Sequence, residues 1–405
     1  MFPFTRRLFL RSSAVALAGV GLAPSWLVRT AAQAGRTSAR KKILVAIFQR
    51  GAADGLNIVV PFAERRYYDL RPTIAIPDPT KPNGAIDLDG HFGLHPALRS
   101  IKPLWDARQL AIIEATGSPD PTRSHFDAQD FMESGTPGKL SDSGWLNRAL
   151  PEAAHPVSPL RAIAMGTQLP RTLRGDQGAV AVNNLDQFQV RAQASADILE
   201  RMYASTNDRQ LMASGKETFE ALRMIETLNR SPYAPSNGAQ YQGPFGQSLQ
   251  QIARLIKADV GVEAAFADIG GWDHHSNEGP QLTTLLQQFG ASLSAFSRDM
   301  GDRMEDIVLV TMSEFGRTVK EDGNGGTDHG HGNVMMVLGG PVQGGRIYGE
   351  WPGLEEEQLY ERRDLAISTD FRAVLGELVS GHLGQQASRV FPGFAPGRAL
   401  GLLKT

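Results

Sequence analysis

The chain reads Ile307-Val308-Leu309-Val310-Thr311-Met312 and continues directly into Ser313-Glu314-Phe315-Gly316-Arg317. An uninterrupted apolar run of this length, rich in β-branched residues, is typical of a strand in a parallel sheet that is buried on both faces. The sequence predicts seven such strands, at residues 42–48, 110–115, 160–165, 179–182, 260–267, 306–312 and 334–338.

Helical periodicity separates many of these runs. One apolar helical face is formed by Leu249, Ile252, Leu255 and Ile256. The sequence predicts helices at 192–204, 216–228, 247–257, 281–300 and 371–383. Because strands alternate with helices, we expect an α/β sandwich with a mostly parallel central sheet and helices on both sides.

One domain is expected from residue 35 to residue 405, which is ample length for a hydrophobic core. Within it, 183–246 is helical and polar, and we interpret it as a helical cap or an insertion. Glycine and proline gather at 72–96, 231–246 and 319–333, which predicts long surface loops.

The first residues predict where the protein works. Residues 5–11 read Thr-Arg-Arg-Leu-Phe-Leu-Arg, which is typical of a twin-arginine export signal. A short apolar stretch and Ala32-Gln33-Ala34 follow, so we expect cleavage of a signal peptide at 1–34 and a mature chain from Gly35. The twin-arginine translocase is the expected partner in export, and the periplasm or the extracellular space the expected destination. The alternative is an uncleaved membrane anchor.

Composition excludes several classes of site and partner. The chain has no cysteine, so disulfides, thiolate ligands and a cysteine nucleophile are excluded. Residues 1–34 contain four arginines and no acidic residue, so their removal changes the formal net charge from −2 to −6. No basic stripe is present, which argues against nucleic acid. No later run reaches the roughly 18 apolar residues of a membrane span.

Polar motifs follow the predicted strands. Asp54 comes after the first strand, Ser124 and His125 after the second, Asp273 after the strand at 260–267, and Glu314 directly after Met312. The carboxyl ends of parallel strands lie at one edge of a sheet, and ligands bind there. We therefore expect these side chains to converge.

Histidine and carboxylate side chains are concentrated in two glycine-rich segments. Asp273 and His275 lie two residues apart, and Asp328, His329 and His331 lie together farther along the chain. Imidazole nitrogen and carboxylate oxygen suit zinc, manganese or iron, so these five residues are candidate metal ligands. The alternatives are a solvated turn at the first segment and an Asx turn at Asp328.

Most of the remaining candidates have more than one interpretation. Glu314 can ligate a metal or act as a base and Arg317 can hold an anionic group, or the two can pair with each other. Ser124 can be a metal-activated nucleophile, a helix N-cap, or both. Asp54 is a metal ligand or part of a plain turn, and His125 is a candidate for proton transfer.

Seven motifs occur in a fixed order along the chain. They are Thr5-Arg6-Arg7, Arg50-Gly51-Ala52-Ala53-Asp54-Gly55-Leu56-Asn57, Gly93-Leu94-His95-Pro96, Arg123-Ser124-His125-Phe126, Gly271-Trp272-Asp273-His274-His275, Ser313-Glu314-Phe315-Gly316-Arg317 and Gly326-Thr327-Asp328-His329-Gly330. Together they resemble a bacterial family catalogued as domain of unknown function 1501. The resemblance covers nearly the whole mature chain. His274 stands where that family usually has threonine.

That family is grouped with the alkaline phosphatase and sulfatase superfamily. The resemblance implies a three-layer α/β/α sandwich, alkaline phosphatase-like, with a two-metal site at the strand ends. By position, Asp54 and Ser124 would share one metal. Asp273, His275 and either His329 or His331 would hold the other.

The resulting hypothesis is an exported metal-dependent hydrolase of phosphate or sulfate esters. The expected cofactor is a divalent metal, zinc or manganese, and the expected substrate is a small anionic ester or an envelope-derived molecule. Ser124, His125 and Arg317 are the candidate catalytic residues. The alternative is a non-catalytic periplasmic protein that keeps the fold and binds a ligand or a partner.

Overall fold

The computed structural model describes residues 40–138, 141–152, 157–187, 205 and 209–404. The predicted export signal and the predicted helix at 192–204 lie outside these residues. Residues 42–405 form one compact unit. Part of 183–246 is not described, so the interpretation of that segment as a cap or insertion stays a prediction.

Twelve strands lie in the part of the chain that the structure describes. They are β1 (Ile43–Gln49), β2 (Val59–Val60), β3 (Ile86–Asp87), β4 (Gly93–Leu94), β5 (Leu110–Gly117), β6 (Ala162–Met165), β7 (Val180–Val182), β8 (Ala264–Ile269), β9 (Ile307–Met312), β10 (Asn333–Gly339), β11 (Arg346–Tyr348) and β12 (Thr369–Asp370). All seven predicted strands are confirmed. The strands that the sequence did not predict have only two or three residues, too few to show a pattern.

The main sheet has the order β11-β5-β10-β9-β1-β8-β6-β7, and β12 also pairs with β5. Every neighbouring pair is parallel except the two that involve β10, which runs against both β5 and β9. The expected mostly parallel sheet is therefore confirmed. A separate small sheet has the order β2-β4-β3 and occupies part of the segment predicted as a loop at 72–96.

Ten α-helices are described. They are α1 (Gly55–Ile58), α2 (Arg65–Leu70), α3 (Lys102–Asp106), α4 (His125–Ser134), α5 (Trp145–Arg148), α6 (Arg209–Asn229), α7 (Gly243–Lys257), α8 (Glu278–Met300), α9 (Phe371–Gly381) and α10 (Ala387–Val390). Short 3₁₀ helices lie at Pro96–Ile101, Arg171–Leu173, Leu185–Gln187, Gly301–Asp306 and Glu356–Gln358. Four of the five predicted helices are confirmed as α6, α7, α8 and α9.

The sheet is buried on both faces because successive side chains of a strand point to opposite sides. On β1, Val45 and Ile47 belong to one core, which α7 and α8 cover. Leu44 and Phe48 belong to the other core, which α5, α9 and α10 cover. Helices on both faces make this a three-layer α/β/α sandwich.

The carboxyl ends of β1, β5, β8 and β9 lie at one edge of the sheet, and the amino end of antiparallel β10 lies there too. The loops at this edge carry the polar motifs. Among the described residues, no helix combines the length and the apolar character that crossing a membrane requires.

Candidate metal site

Three segments that are remote in sequence bring four side chains together at this edge. His125 begins α4 after β5, Asp273 and His275 follow β8, and His329 lies in the loop that enters β10. We call these four residues the ligand cluster. The sequence predicted Asp273, His275 and His329 as metal ligands, whereas His125 was expected to transfer protons.

The three imidazole rings of the ligand cluster converge through their Nε2 atoms. His329 Nε2 lies 3.0 Å from His125 Nε2 and 3.1 Å from His275 Nε2. Asp273 Oδ1 lies 3.0 Å from His275 Nε2 and 3.3 Å from His329 Nε2, and Asp273 Oδ2 lies 3.4 Å from His125 Nε2. The ligand atoms of His125, Asp273 and His329 all lie within 4.8 Å of one another, which is small enough for one ion.

Two of the three histidines donate a hydrogen bond from Nδ1, the ring nitrogen that lies away from the cluster. His125 Nδ1 donates to Glu314 Oε1 at 2.8 Å, and His329 Nδ1 donates to the carbonyl oxygen of Arg123 at 3.0 Å. Because a carbonyl oxygen can only accept, His329 carries a proton on Nδ1 and presents the lone pair of Nε2 to the cluster. Histidines that bind metals in proteins are usually oriented in this way.

The donor set fits a divalent transition metal. Zinc lies about 2.0–2.1 Å from imidazole nitrogen, so neighbouring ligands in a tetrahedron are roughly 3.3 Å apart. The five separations given above, among the Nε2 atoms and the Asp273 carboxylate, run from 3.0 Å to 3.4 Å. Lone pairs aimed at one another repel unless a cation or a proton lies between them. Protons bridge such contacts in a metal-free protein, and a divalent metal would replace them when bound.

The ligand cluster is open to solvent on one side. The side chains of Asp273 and His275 are 42% and 47% exposed, whereas that of His329 is 21% exposed. Structural zinc sites are closed, and catalytic sites keep a position for water or substrate. The exposure therefore leaves room for an external ligand.

Glu314, predicted as a metal ligand or base, lies behind His125 and is fully buried. Its Oε1 also accepts from the Gly51 amide and from Gln129 Nε2, both at 2.9 Å, and its Oε2 accepts from Ser313 Oγ at 3.1 Å. Burial alone would raise its pKa, but the hydrogen bonds from His125 and Gln129 hold the pKa of Glu314 below its ordinary value. Glu314 thus orients His125 as an anion.

The pKa values of His125 and His329 are shifted in opposite directions. The hydrogen bond to Glu314 raises the pKa of His125 above its ordinary value. Burial lowers the pKa of His329. Protons therefore compete with a metal more strongly at His125 than at His329.

Arg317, predicted to hold an anionic group, is fully buried and bonded to Asp273. Its Nη1 donates to Asp273 Oδ1 at 2.6 Å, its Nε donates to Thr327 Oγ1 at 3.1 Å, and its Nη2 donates to the Thr327 carbonyl oxygen. Burial would raise the pKa of Asp273, but Arg317 holds it below its ordinary value. The alternative pairing of Arg317 with Glu314 does not occur, and Asp273 stays anionic.

Asp54, the other predicted ligand after β1, lies outside the ligand cluster in a buried ion pair with Arg71. Arg71 Nη2 donates to Asp54 Oδ1 at 3.0 Å, and Arg71 Nη1 contacts Oδ2. Burial would raise the pKa of Asp54, but the charge of Arg71 lowers it. Burial also raises the pKa of the neighbouring Glu278 well above its ordinary value. Both Asp54 oxygens are occupied, so this geometry does not offer Asp54 to a metal.

The loop before β10 separates its two histidines. Asp328, a predicted ligand, lies at the rim and offers a carboxylate oxygen that groups within 4.8 Å with ligand atoms of His275 and His329. Its Oδ1 is 3.8 Å from His275 Nδ1, and its Oδ2 accepts from Arg363 Nη2 at 2.8 Å. His331 points away and stacks on Tyr360, with ring centroids 4.1 Å apart. Burial lowers the pKa of His331 to about 4. Of the two histidines that the sequence left open, His329 lies in the cluster and His331 does not.

The start of α4 carries two further features. Ser124 is its N-cap and accepts from the Asp127 amide at 3.5 Å, so the capping interpretation is confirmed. A nucleophilic role of Ser124 stays a prediction. Phe126, directly after His125, is 88% exposed.

Two contributions were missed at the sequence level. Gln129 donates to Glu314, and His125 is positioned as a ligand rather than only as a proton carrier. A signal for Gln129 existed, because residues 125 and 129 lie four apart and therefore share a helix face. No local pattern marks His125 as a ligand, since its partners come from other loops.

Residues 107–387 match the family described as protein of unknown function (DUF1501). No curated protein matches the chain. Sixteen chains among the solved structures match it.

Three of these structures illustrate the similarity. The C-terminal periplasmic domain of EcEptC from Escherichia coli, in complex with Zn, is 8% identical with a TM-score of 0.33, over 75% of this chain and 74% of that chain. PsFucS1 sulfatase from Pseudoalteromonas sp. is 13% identical with a TM-score of 0.35, over 85% and 68%. Ps i-CgsB with k-i-k-neocarrahexaose is 11% identical with a TM-score of 0.36, over 87% and 74%. Similarities this low carry no argument about the site.

Proposed function

We propose that this chain, which belongs to the DUF1501 family of proteins of unknown function, is an exported metal-dependent hydrolase of phosphate or sulfate esters. One observation carries the proposal. The Nε2 atoms of His125 and His275 each lie within 3.1 Å of His329 Nε2, and the Asp273 carboxylate lies within 3.4 Å of all three, at a solvent-open edge of the sheet. Zinc and manganese are the candidate metals, because imidazole and carboxylate suit both.

A divalent metal held by the ligand cluster would supply a Lewis acid to an ester oxygen. The chain's own residues prepare the cluster for this. Glu314 and the Arg123 carbonyl oxygen hold two imidazoles with Nε2 facing inward, and Arg317 keeps Asp273 anionic. Ser124 is the candidate nucleophile, and the N-terminus of α4 favours negative charge beside it.

Hydrolysis of simple esters tests the proposal. The purified mature protein would be analysed for metal and then assayed on 4-nitrophenyl phosphate, bis(4-nitrophenyl) phosphate and 4-nitrophenyl sulfate. Turnover should disappear with a chelator, return with zinc or manganese, and be absent in Asp273→Ala and His275→Ala. His91→Ala is the matched control, because His91 lies outside the ligand cluster. Turnover that survives in both cluster variants contradicts the proposal.

The role of Ser124 needs its own variant. If Ser124 is the nucleophile, Ser124→Ala should lose ester turnover but still bind metal, since its hydroxyl is not part of the ligand cluster. Equal turnover by Ser124→Ala and the unchanged protein would remove Ser124 as nucleophile and leave water in its place.

Export is a separate part of the proposal, supported by the twin-arginine pattern at Arg6 and Arg7. Replacement of both by lysine should hold the protein in the cytoplasm with its signal uncleaved. Fractionation of the bacterial cells measures this, and unchanged export would contradict it.

The alternative, a non-catalytic periplasmic protein that binds a ligand or partner, is favoured by one observation. The Arg317 guanidinium is fully buried and bonded to Asp273 and Thr327, so it is not available to the oxygens of a substrate. Metal-loaded protein that binds phosphate or sulfate but turns over none of the three esters would support this alternative.

A further inference from the structure

We infer that Asp364 is a positioning residue for the ligand cluster, acting through Arg123 on His329 and through Arg363 on Asp328. The inference rests on the proposed metal site. It extends that proposal to a turn, residues 360–364, that contributes no ligand and lies far from the cluster in sequence.

Two chains of contacts, which we call arms, lead from Asp364 to the ligand cluster. The first arm runs through Arg123 to His329. The Asp364 side chain is fully buried, and its Oδ2 accepts from Arg123 Nη2 at 2.6 Å and from Arg123 Nε at 3.3 Å. The carbonyl oxygen of the same arginine accepts from His329 Nδ1 at 3.0 Å. Asp364 shares this guanidinium with Glu361, whose Oε2 accepts from Arg123 Nη2 at 2.7 Å. The two carboxylates together hold the residue whose backbone sets the tautomer and orientation of His329.

The second arm runs from Asp364 to the rim of the cluster. Asp364 Oδ1 lies 3.7 Å from Arg363 Nε. Arg363 Nη2 donates to Asp328 Oδ2 at 2.8 Å and to the His329 carbonyl oxygen at 3.1 Å. Asp328 in turn faces His275 Nδ1. One buried carboxylate therefore lies between two arginines that lead to two of the three histidines.

The turn that carries Asp364 has an unfavourable backbone. Glu361 and Arg362 have φ angles of +52° and +55°, in the left-handed region that residues with a Cβ adopt at a cost. The turn is closed by hydrogen bonds between Tyr360 and Asp364, at 2.9 Å and 3.0 Å. The stacking of His331 on Tyr360 packs it against the loop of His329. These contacts hold the backbone in a conformation that brings Asp364 to both arginines.

The two oxygens of Asp364 have different surroundings. Oδ2 accepts both hydrogen bonds from Arg123, whereas Oδ1 is buried without a hydrogen-bond partner and has the guanidinium of Arg363 as its charged neighbour. Asparagine has the same shape but replaces one oxygen with an NH₂ group that repels an arginine. Asp364→Asn is therefore a near-isosteric test of the two arms.

Cobalt binding is the first readout. Metal-free mature protein is titrated with Co²⁺, whose visible spectrum reports on ligand geometry. We expect Asp364→Asn to bind Co²⁺ about 10–100-fold more weakly, because loss of a group that orients a metal ligand usually lowers metal affinity by that factor. The Co²⁺ spectrum of the variant should also change. Asp186→Asn is the matched control, since it breaks the Asp186–Arg254 ion pair of 2.7 Å and touches no part of the cluster. The control should bind as the unchanged protein does.

The tautomer of His329 is the second readout, and it needs no metal. Nitrogen-15 NMR of the imidazoles in metal-free protein should show His329 protonated on Nδ1, and Asp364→Asn should mix the two tautomers. The same tautomer and the same Co²⁺ affinity in both proteins would overturn the inference and leave the metal site standing. If the unchanged protein binds no Co²⁺, the proposed metal site fails, and the tautomers still decide the role of Asp364.

A second variant is needed in case Asp364→Asn does not fold. If Asp364→Asn loses circular dichroism signal, Arg363→Gln cuts only the second arm and leaves the buried pair of Asp364 and Arg123 in place. Arg363→Gln should weaken Co²⁺ binding, but less than the loss of both arms. Unchanged Co²⁺ binding by Arg363→Gln overturns the second arm, and an unchanged His329 tautomer in Asp364→Asn overturns the first.

Discussion

At the scale of single residues, His125 controls how protons compete with metal. Metal binding needs a neutral imidazole, and the hydrogen bond to Glu314 raises the pKa of His125 above its ordinary value of 6.5. As pH falls through that raised pKa, His125 becomes an imidazolium and metal affinity should fall roughly tenfold per pH unit. Zinc titrations across about pH 5 to 8 measure this.

Glu314→Gln tests the cause of that pH dependence. The neutral amide no longer favours the imidazolium, so the pKa of His125 falls and the loss of affinity should begin at a lower pH. At a pH where His125 is neutral in both proteins, the variant should bind zinc more weakly, because the amide orients His125 less firmly. The same onset in the variant and the unchanged protein would contradict the role given to Glu314.

The ion pair of Asp54 and Arg71 illustrates what the sequence leaves open about a single residue. Asp54 follows a strand as a metal ligand would, but its partner is Arg71, the residue directly after α2. No local pattern specifies that pairing. Because Arg71 is fully buried, Arg71→Leu would leave the Asp54 charge without its partner and should lower the free energy of unfolding by about 3–5 kcal/mol.

Denaturant unfolding at neutral pH measures that loss. Arg389→Leu, which breaks an exposed pair with Glu152, should change the free energy by less than about 1 kcal/mol. The pKa of Asp54 is lowered on folding, so the stabilisation is present above its unfolded value of about 3.9 and is lost as pH falls through the folded pKa. Equal stability of the two arginine variants would contradict this account.

At the scale of elements, the sequence predicts strands well and their mutual contacts poorly. The seven main strands were predictable because a continuous apolar run reports burial on both faces. The loops that follow β1 and β8 also contact each other, which no run of residues reveals. Gly51, with φ of +118°, packs so closely that a Cβ there would lie 2.8 Å from the Asp273 amide nitrogen.

Gly51→Ala should therefore damage the ligand cluster without removing any ligand. The added methyl group must push the backbone of Asp273, and alanine is strained at that φ. We expect weaker zinc binding by isothermal titration, together with lower stability. Gly90→Ala is the control, because φ is again positive but nothing lies within 4 Å of its Cβ. Unchanged zinc binding in Gly51→Ala would show that the two loops are not coupled.

At the scale of the whole molecule, a metal in the ligand cluster would join the loops after β5 and β8 to the loop before β10. A ligand that binds only the folded state stabilises it, by about 2.7 kcal/mol at a concentration 100 times its Kd. We expect zinc to raise the Tm of the unchanged protein and a chelator to lower it. Asp273→Ala should show no zinc-dependent shift, and a shift as large as that of the unchanged protein would mean that zinc binds elsewhere.

The loops after β5 and β8 and the loop before β10 converge at one edge of the sheet, and a crystal structure of the zinc-loaded mature protein would show whether one ion joins them. Anomalous diffraction at the zinc edge locates the ion without reference to the protein. We predict one peak bounded by Nε2 of His125, His275 and His329 and by the Asp273 carboxylate, at about 2.0–2.2 Å from each ligand atom. No peak there, or zinc bound instead by Asp54 or His331, would contradict the account.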